Sequence, residues 1–420
     1  MAPGRYAPLA ALAALLVGCG PSKIIYPPSG AAGAGGAGTG GVGPGTAGSG
    51  GSAPDAGPPP FSVAELLGAF GTCASTGVQD FLGKMATLES AVGAWKATPS
   101  DTTRDAARAA FQTAMDAWQI VEAMQFGPTG PKSTPGGQAF RDEIYCWPLT
   151  NRCAVEQLII SGKYAAATFP NELVNRRGLG ALEYLLFYEG ADTACTAPAD
   201  QAAWAALTDR DARKRAYAQA AATETTSRAG ALAAAWDSGN THFADTLRTA
   251  GPGNKTYPTT QDALNAVSNA TFYIETDVKD IKLARPLGLR GCTAASCPEL
   301  FEAPYAGRAK ADIAGNFDGA RKLLEGCGAG YSGFGFDDLL IDTGAPDAAA
   351  AAAALHDHGV AMQAALAAIE EADMRAALAA DKPSVMAVYD AIKGLTDLMK
   401  TDFLTILDLD LPGSIVGDND

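Results

Sequence analysis

Histidine is scarce in this chain: there are three in 420 residues, His242, His356 and His358. That leaves few acid–base candidates near neutral pH, where imidazole is the side chain that titrates without help. HExxH, GxSxG, CxxC and CxxCH are all missing. Zincin-type hydrolysis, a nucleophile elbow, a cysteine zinc site and covalent haem therefore have no support in the sequence. Lys/Arg-rich runs are missing too, and the net charge is −15 with a pI near 4.7, so nucleic acid is not an expected partner. Beyond the N-terminal region there is no run of about eighteen apolar residues, the length a spanning helix needs. Alternating β-branched runs are few. What is present instead is Ala and Leu at spacings of three and four, which predicts an all-α protein.

Residues 1–19, MAPGRYAPLAALAALLVGC, carry one arginine, an apolar run from Leu9 to Val17 and then Leu16-Val17-Gly18-Cys19. This resembles a bacterial lipoprotein signal, which implies cleavage before Cys19, lipidation of that cysteine and attachment to the cell envelope, with Gly20 favouring the outer membrane. The alternative is an ordinary cleaved signal with a chance cysteine. Residues 20–60 are rich in Gly, Ala, Pro, Ser and Thr, with Asp55 the only charge after Pro27, and are expected to form a disordered tether. Apart from Cys19 there are seven cysteines. In an exported chain they should be partly oxidised. Cys292 and Cys297 flank a short loop and are the first expected pair, Cys146 and Cys153 the second, with one thiol left over.

The remaining length exceeds what one core usually serves, which predicts two domains, 61–250 and 251–420. Ser62-Val-Ala-Glu65 reads as a helix start running to about 95, and a second helix opens at Ser100 and ends before Gly127-Pro128. Shorter helices follow at 150–161 and 178–188, then a long one at about 199–237 with a further piece to 249. After Gly251-Pro252-Gly253 come helices at about 258–283, 308–325, 346–379 and 384–409. With the short pieces counted as one, each half has four, and two tandem four-helix bundles is the simplest packing. His356 and His358, two apart, fall on different helix faces.

Two carboxylates stand out. Phe111, Met115, Trp118 and Glu122 share one helical stripe, so Glu122 is expected to be partly buried and to need a partner, unless the stripe ends at the surface. Glu183 has Leu179, Leu186 and Phe187 as helical neighbours and Gly180 one turn before it. A glycine there leaves room for water, a ligand or a close helix, while Arg176 and Arg177 are the candidates for a structural countercharge.

Gly178-Leu179-Gly180-Ala181-Leu182-Glu183, followed by Tyr184-Leu-Leu-Phe187, resembles the GxHxxE segment of the imelysin-like proteins, an envelope family also grouped with peptidases. Other pieces agree in order: Ala117-Trp118-Gln119 with Glu122 and Gln125-Phe126-Gly127; Trp147-Pro148-Leu149; Arg213 to Tyr217; Glu302-Ala-Pro-Tyr305 with Asn316; Gly335 to Leu339; and the Ile415–Asp420 tail. The likeness runs over about residues 61–420. It implies two helical bundles with a site where they meet, and a link to iron acquisition or to peptidase activity. The family's histidine is Gly180 here, which removes a nitrogen ligand and weakens a transition-metal site most. The expected function is therefore a lipid-anchored envelope binding protein, for iron or an iron carrier, with a degenerate motif at Gly178, Gly180 and Glu183. Glu122 and Glu183 are its candidate acids and metal ligands, Trp118 and Trp147 its walls, and Asp337 a remoter candidate. Iron or another divalent cation is the expected cofactor. A metallopeptidase of the imelysin type and a scaffolding lipoprotein are the alternatives.

Overall fold

The structure, a computed structural model, describes residues 61–237 and 242–415. The expectations for Cys19, the tether and most of the C-terminal tail fall outside those residues. Within them the protein is all-α, with helices α1 (Val63–Ala97), α2 (Asp101–Glu122), α3 (Phe140–Ile144), α4 (Arg152–Ser161), α5 (Gly178–Phe187), α6 (Pro198–Ala206), α7 (Arg210–Trp236) and α8 (Phe243–Arg248) in the first half. The second half holds α9 (Thr260–Thr271), a wide-turn π-type helix (Ile274–Leu283), α10 (Ala284–Leu287), α11 (Ala309–Leu324), α12 (Phe336–Asp342), α13 (Ala348–Ala367), α14 (Met374–Ala380), α15 (Lys382–Leu398) and α16 (Leu404–Ile406), with a second π-type turn, Met399–Phe403, between the last two.

Helix starts follow local chemistry. Ser62 caps α1 by accepting from the Glu65 amide, and Ser100 and Thr103 form a reciprocal capping box on α2. Three long predicted helices are broken: at 207–209, where α6 gives way to α7; at 272–273, where α-helical turns pass into the π-type helix; and at 368–373, between α13 and α14. The periodic pattern carries through these breaks because the flanking pieces still face one core.

Two closed rings of four helices result. In the first, α1 packs on α2 and α7, and α5 packs on both α2 and α7. In the second, α13 packs on α11 and α15, and the Ile274–Leu283 helix packs on the same two. Helix α2 lies against α11 and joins the rings, and the buried apolar side chains from Leu66 to Ile415 form one continuous core. The arrangement puts α2 and the Ile274–Leu283 helix at the seam between the halves, where Lys282 meets Gln119.

Cys292–Cys297 is bonded as expected. The Cys146–Cys153 pairing is corrected: Cys153 is bonded to Cys195, and Cys146 is in a different disulfide. Cys153 lies in the first turn of α4, and Glu156, one turn on, holds the loop that carries Cys195 by accepting from Thr193 Oγ1 (2.6 Å) and the Ala194 amide (2.8 Å). That loop is 42 residues away in sequence, and short-range spacing carries no sign of it. A third bridge, Cys73–Cys327, ties α1 to the chain after α11, and among the described residues no cysteine is free.

Candidate site at the seam between the bundles

Glu122 occupies the last turn of α2 and is fully buried. The surface alternative is thereby excluded. Its Oε1 accepts from Arg141 Nε at 3.0 Å, and Lys282 Nζ, from the Ile274–Leu283 helix, lies 3.6 Å from Oε2. Lys282 is itself fully buried and donates to Gln119 Oε1 (2.9 Å) and Asn316 Oδ1 (2.7 Å), with an ion pair to Glu302 at 2.7 Å. Gln119 Nε2 donates to Glu302 at 3.2 Å, and Asn316 Nδ2 donates back to the Gln119 carbonyl. Burial pushes the Glu302 and Asp312 carboxyls above the usual range, with Glu122 adding to the rise at Glu302 and Glu302 adding to the rise at Asp312, while Arg308 bonds Asp312 and reaches Asp116 on α2. Burial alone would lower the pKa of the Lys282 ammonium, but Glu302, Glu122 and Asp312 around it outweigh burial and raise it.

Glu183 lies alongside. It is 5% exposed, and its Oε1 accepts from the backbone amides of Tyr305 (2.7 Å) and Ala306 (2.9 Å), so a first-bundle helix holds a second-bundle loop. Burial raises its carboxyl to about 7, with the two amides pulling down and Glu302 adding to the rise. The arginines expected to balance it do other work: Arg177 pairs with Glu143 and Glu224, and Arg176 with Glu172.

The two motif glycines have packing reasons. Gly178 has φ +73°, and a Cβ there would stand 2.4 Å from the Ile144 carbonyl oxygen. At Gly180 an added Cβ would fall 2.2 Å from Thr150 Oγ1 and 3.0 Å from its Cβ. The room beside Glu183 is therefore filled by a threonine from the neighbouring loop.

Trp147 lies beside the Glu122 set: its carbonyl accepts from Arg141, and Lys282 Nζ lies 5.7 Å from its ring centre. Trp118 packs on Phe81 of α1 in the first bundle. Asp337 sits in the first turn of α12 beside Asp338 and Glu325, joins neither carboxylate set, and is raised to about 7 by burial and by Asp338.

A sequence profile of the imelysin family, Peptidase M75, matches residues 74–401. The chain belongs to the imelysin family. It is 25% identical over 243 residues to Iron-regulated protein A of Synechococcus elongatus, a match spanning 57% of this chain and 57% of that relative. An imelysin-like protein from Psychrobacter arcticum superposes with a TM-score of 0.61 at 20% identity, covering 84% of this chain and 98% of that one. A protein described as an iron-regulated protein A precursor, from Parabacteroides distasonis, gives 0.62 at 17% identity, covering 81% and 95%. At those identities the likeness establishes the fold alone.

The donor set at the seam of this imelysin is sparse. Gly180 offers no nitrogen, Thr150 blocks the space for one, and Glu122 is engaged by two cations. Among the described residues, three His, Cys or carboxylate ligand atoms converge only at Cys153, Cys195 and Asp200, where both sulfurs are already bonded to each other. A transition ion needs about three or four converging donors, so the residues at the seam do not fit a resident one. Sequence reasoning gave no site role to Arg141, Lys282, Gln119, Glu302 or Arg308, although Gln119 and Glu302 fall in the family-like pieces. The available signal was charge on an apolar period, as in Val278, Lys279, Lys282 and Leu283, where inward charges call for partners elsewhere.

Proposed function

We propose that this imelysin is an exported, lipid-anchored envelope protein that binds an iron carrier and not the bare ion. The observation behind this reading is the coupling of Glu183 to the loop that edges a groove at the seam. Ala306, bonded to Glu183, lines that groove of about 680 Å³ together with Gln112 and Asp116 of α2, Arg308, Phe317 and Leu366. A groove of that size suits a small molecule. A chelate brings its own donors, so the lack of converging protein ligands is no obstacle to it. The names of two relatives associate those proteins with iron regulation. The lipobox supports the anchor. Supporting a binding role over hydrolysis is the absence, at the seam, of three donors around an open position.

The test is calorimetric titration of the purified protein with a ferric trihydroxamate chelate and, separately, with ferrous ion. The chelate should bind saturably and Glu183→Gln should weaken it. Binding of the free ion alone, with the chelate ignored, would overturn the carrier reading, and an unchanged Glu183→Gln variant would remove that residue from the site.

A further inference from the structure

A second cleft, wholly within the first bundle, has a different chemistry. It measures about 840 Å³ and opens between the N-terminal ends of α2 and α7 and residues 185–191. Trp95, Leu185 and Leu207 contribute apolar surface, and Arg104, Arg108, Lys214 and Arg215 line it with positive charge, although the protein as a whole is at −15.

Two of these cations have no ion-pair partner among the described residues, although Asp211 and Glu156 lie near enough to Lys214 to offset part of its burial. Lys214 is 7% exposed, its Nζ donates to the Tyr188 carbonyl at 2.6 Å and lies near the Tyr184 and Tyr188 rings, and among the described residues no carboxylate forms an ion pair with it. A buried ammonium in that position costs several kcal/mol unless a counter-ion arrives. Burial has already lowered its pKa to about 8, in keeping with that cost. Arg215, half-buried on the next residue, has no hydrogen-bond or ion-pair partner among the described residues. Arg104 and Arg108 are better provided, since both reach Glu189, at 3.6 and 2.6 Å, and Arg104 also meets Asp101.

Helix α7 adds to the field. It is 27 residues long, and no side chain caps its N-terminus: Asp209 accepts from Arg213 Nε at 2.9 Å instead. Its N-terminal end, Arg210–Ala212, with the preceding Leu207–Asp209, forms part of the cleft wall, where the positive end of the helix dipole favours an anion.

We infer that this cleft is a binding site for a small oxyanion-bearing molecule, a carboxylate or a phosphate, held by Lys214, Arg215 and the N-terminus of α7. The acidic residues on the rim, Asp101, Asp209 and Asp211, make the site selective for a compact anion that can reach past them. The inference is independent of the seam groove, which shares none of these residues.

Titration of the full protein at low salt with inorganic phosphate and with citrate is the test. Saturable binding of either supports the site, and the preferred probe tells a phosphoryl from a carboxylate ligand. Lys214→Met and Arg215→Gln should each weaken binding about tenfold or more, as loss of a charged hydrogen bond does. Lys84→Gln, on the exposed face of α1, should change nothing. If Lys214→Met fails to fold, Arg215→Gln decides, because that side chain has no partner to lose. Failure of both probes to saturate, or wild-type affinity in Arg215→Gln, overturns the inference.

Discussion

Thr150 and Gly180 are two sides of one contact, and their fit turns a missing imidazole into a packing requirement. Gly180→His should not create a metal site. It should lower stability by about 1–3 kcal/mol, the usual cost of overpacking, and pairing it with Thr150→Gly should recover much of the loss. Denaturant unfolding of the single and double variants checks this. Glu183 makes a second prediction at the same scale. Its folded pKa of about 7 lies above its ordinary 4.5, so the folded state holds the proton more tightly than the unfolded one. The stabilisation is full below about 4.5 and is lost as pH rises through about 7, a loss on the order of 3 kcal/mol for a displacement of that size. Glu183→Gln, neutral throughout, should flatten that part of the stability–pH curve. A variant curve parallel to wild type between pH 4.5 and 7 would contradict the assignment.

Among the elements, the Ile274–Leu283 helix is the one that sends a fully buried cation, Lys282, across to Gln119 and Glu122 of the first bundle. Glu275, Lys279 and Lys282 are all fully buried on it, and Lys400 reaches Glu275 at 2.6 Å from the chain after α15. Lys282→Met should destabilise by about 3–5 kcal/mol, because Glu122 and Glu302 would stay buried with less countercharge. Lys322→Met, on the outer face of α11, should cost little. Thermal unfolding of both variants at neutral pH makes the comparison, and equal losses would mean that the seam network is not compensating those acids. The same element shows why a periodic reading succeeded in part. Spacing placed a helix at about 258–283, but it carried no sign of the change of pitch at 274, in the part that packs against α11 and α15 from further along the chain.

Across the whole molecule, the Cys73–Cys327 bridge spans 254 residues and links α1 to the second bundle. Loops of that length gain the most from closure, and Cys73→Ala with Cys327→Ala should lower stability by about 4 kcal/mol, against a smaller loss for Cys292→Ala with Cys297→Ala, whose loop spans 5 residues. Unfolding of both double variants under non-reducing conditions tests the ordering.

Helical class, most helix positions, the paired bundles, the imelysin resemblance and the burial of Glu122 and Glu183 were legible in the residues alone, because apolar periodicity and helix caps are local properties. Glu122's partners, the threonine beside Gly180, the amides that hold Glu183 and the Cys153–Cys195 bridge were decided only in three dimensions. A buried charge in a sequence announces that compensation is needed. Which distant group supplies it depends on how the bundles meet, and that is a long-range outcome of packing one core across 350 residues of chain, from Leu66 to Ile415.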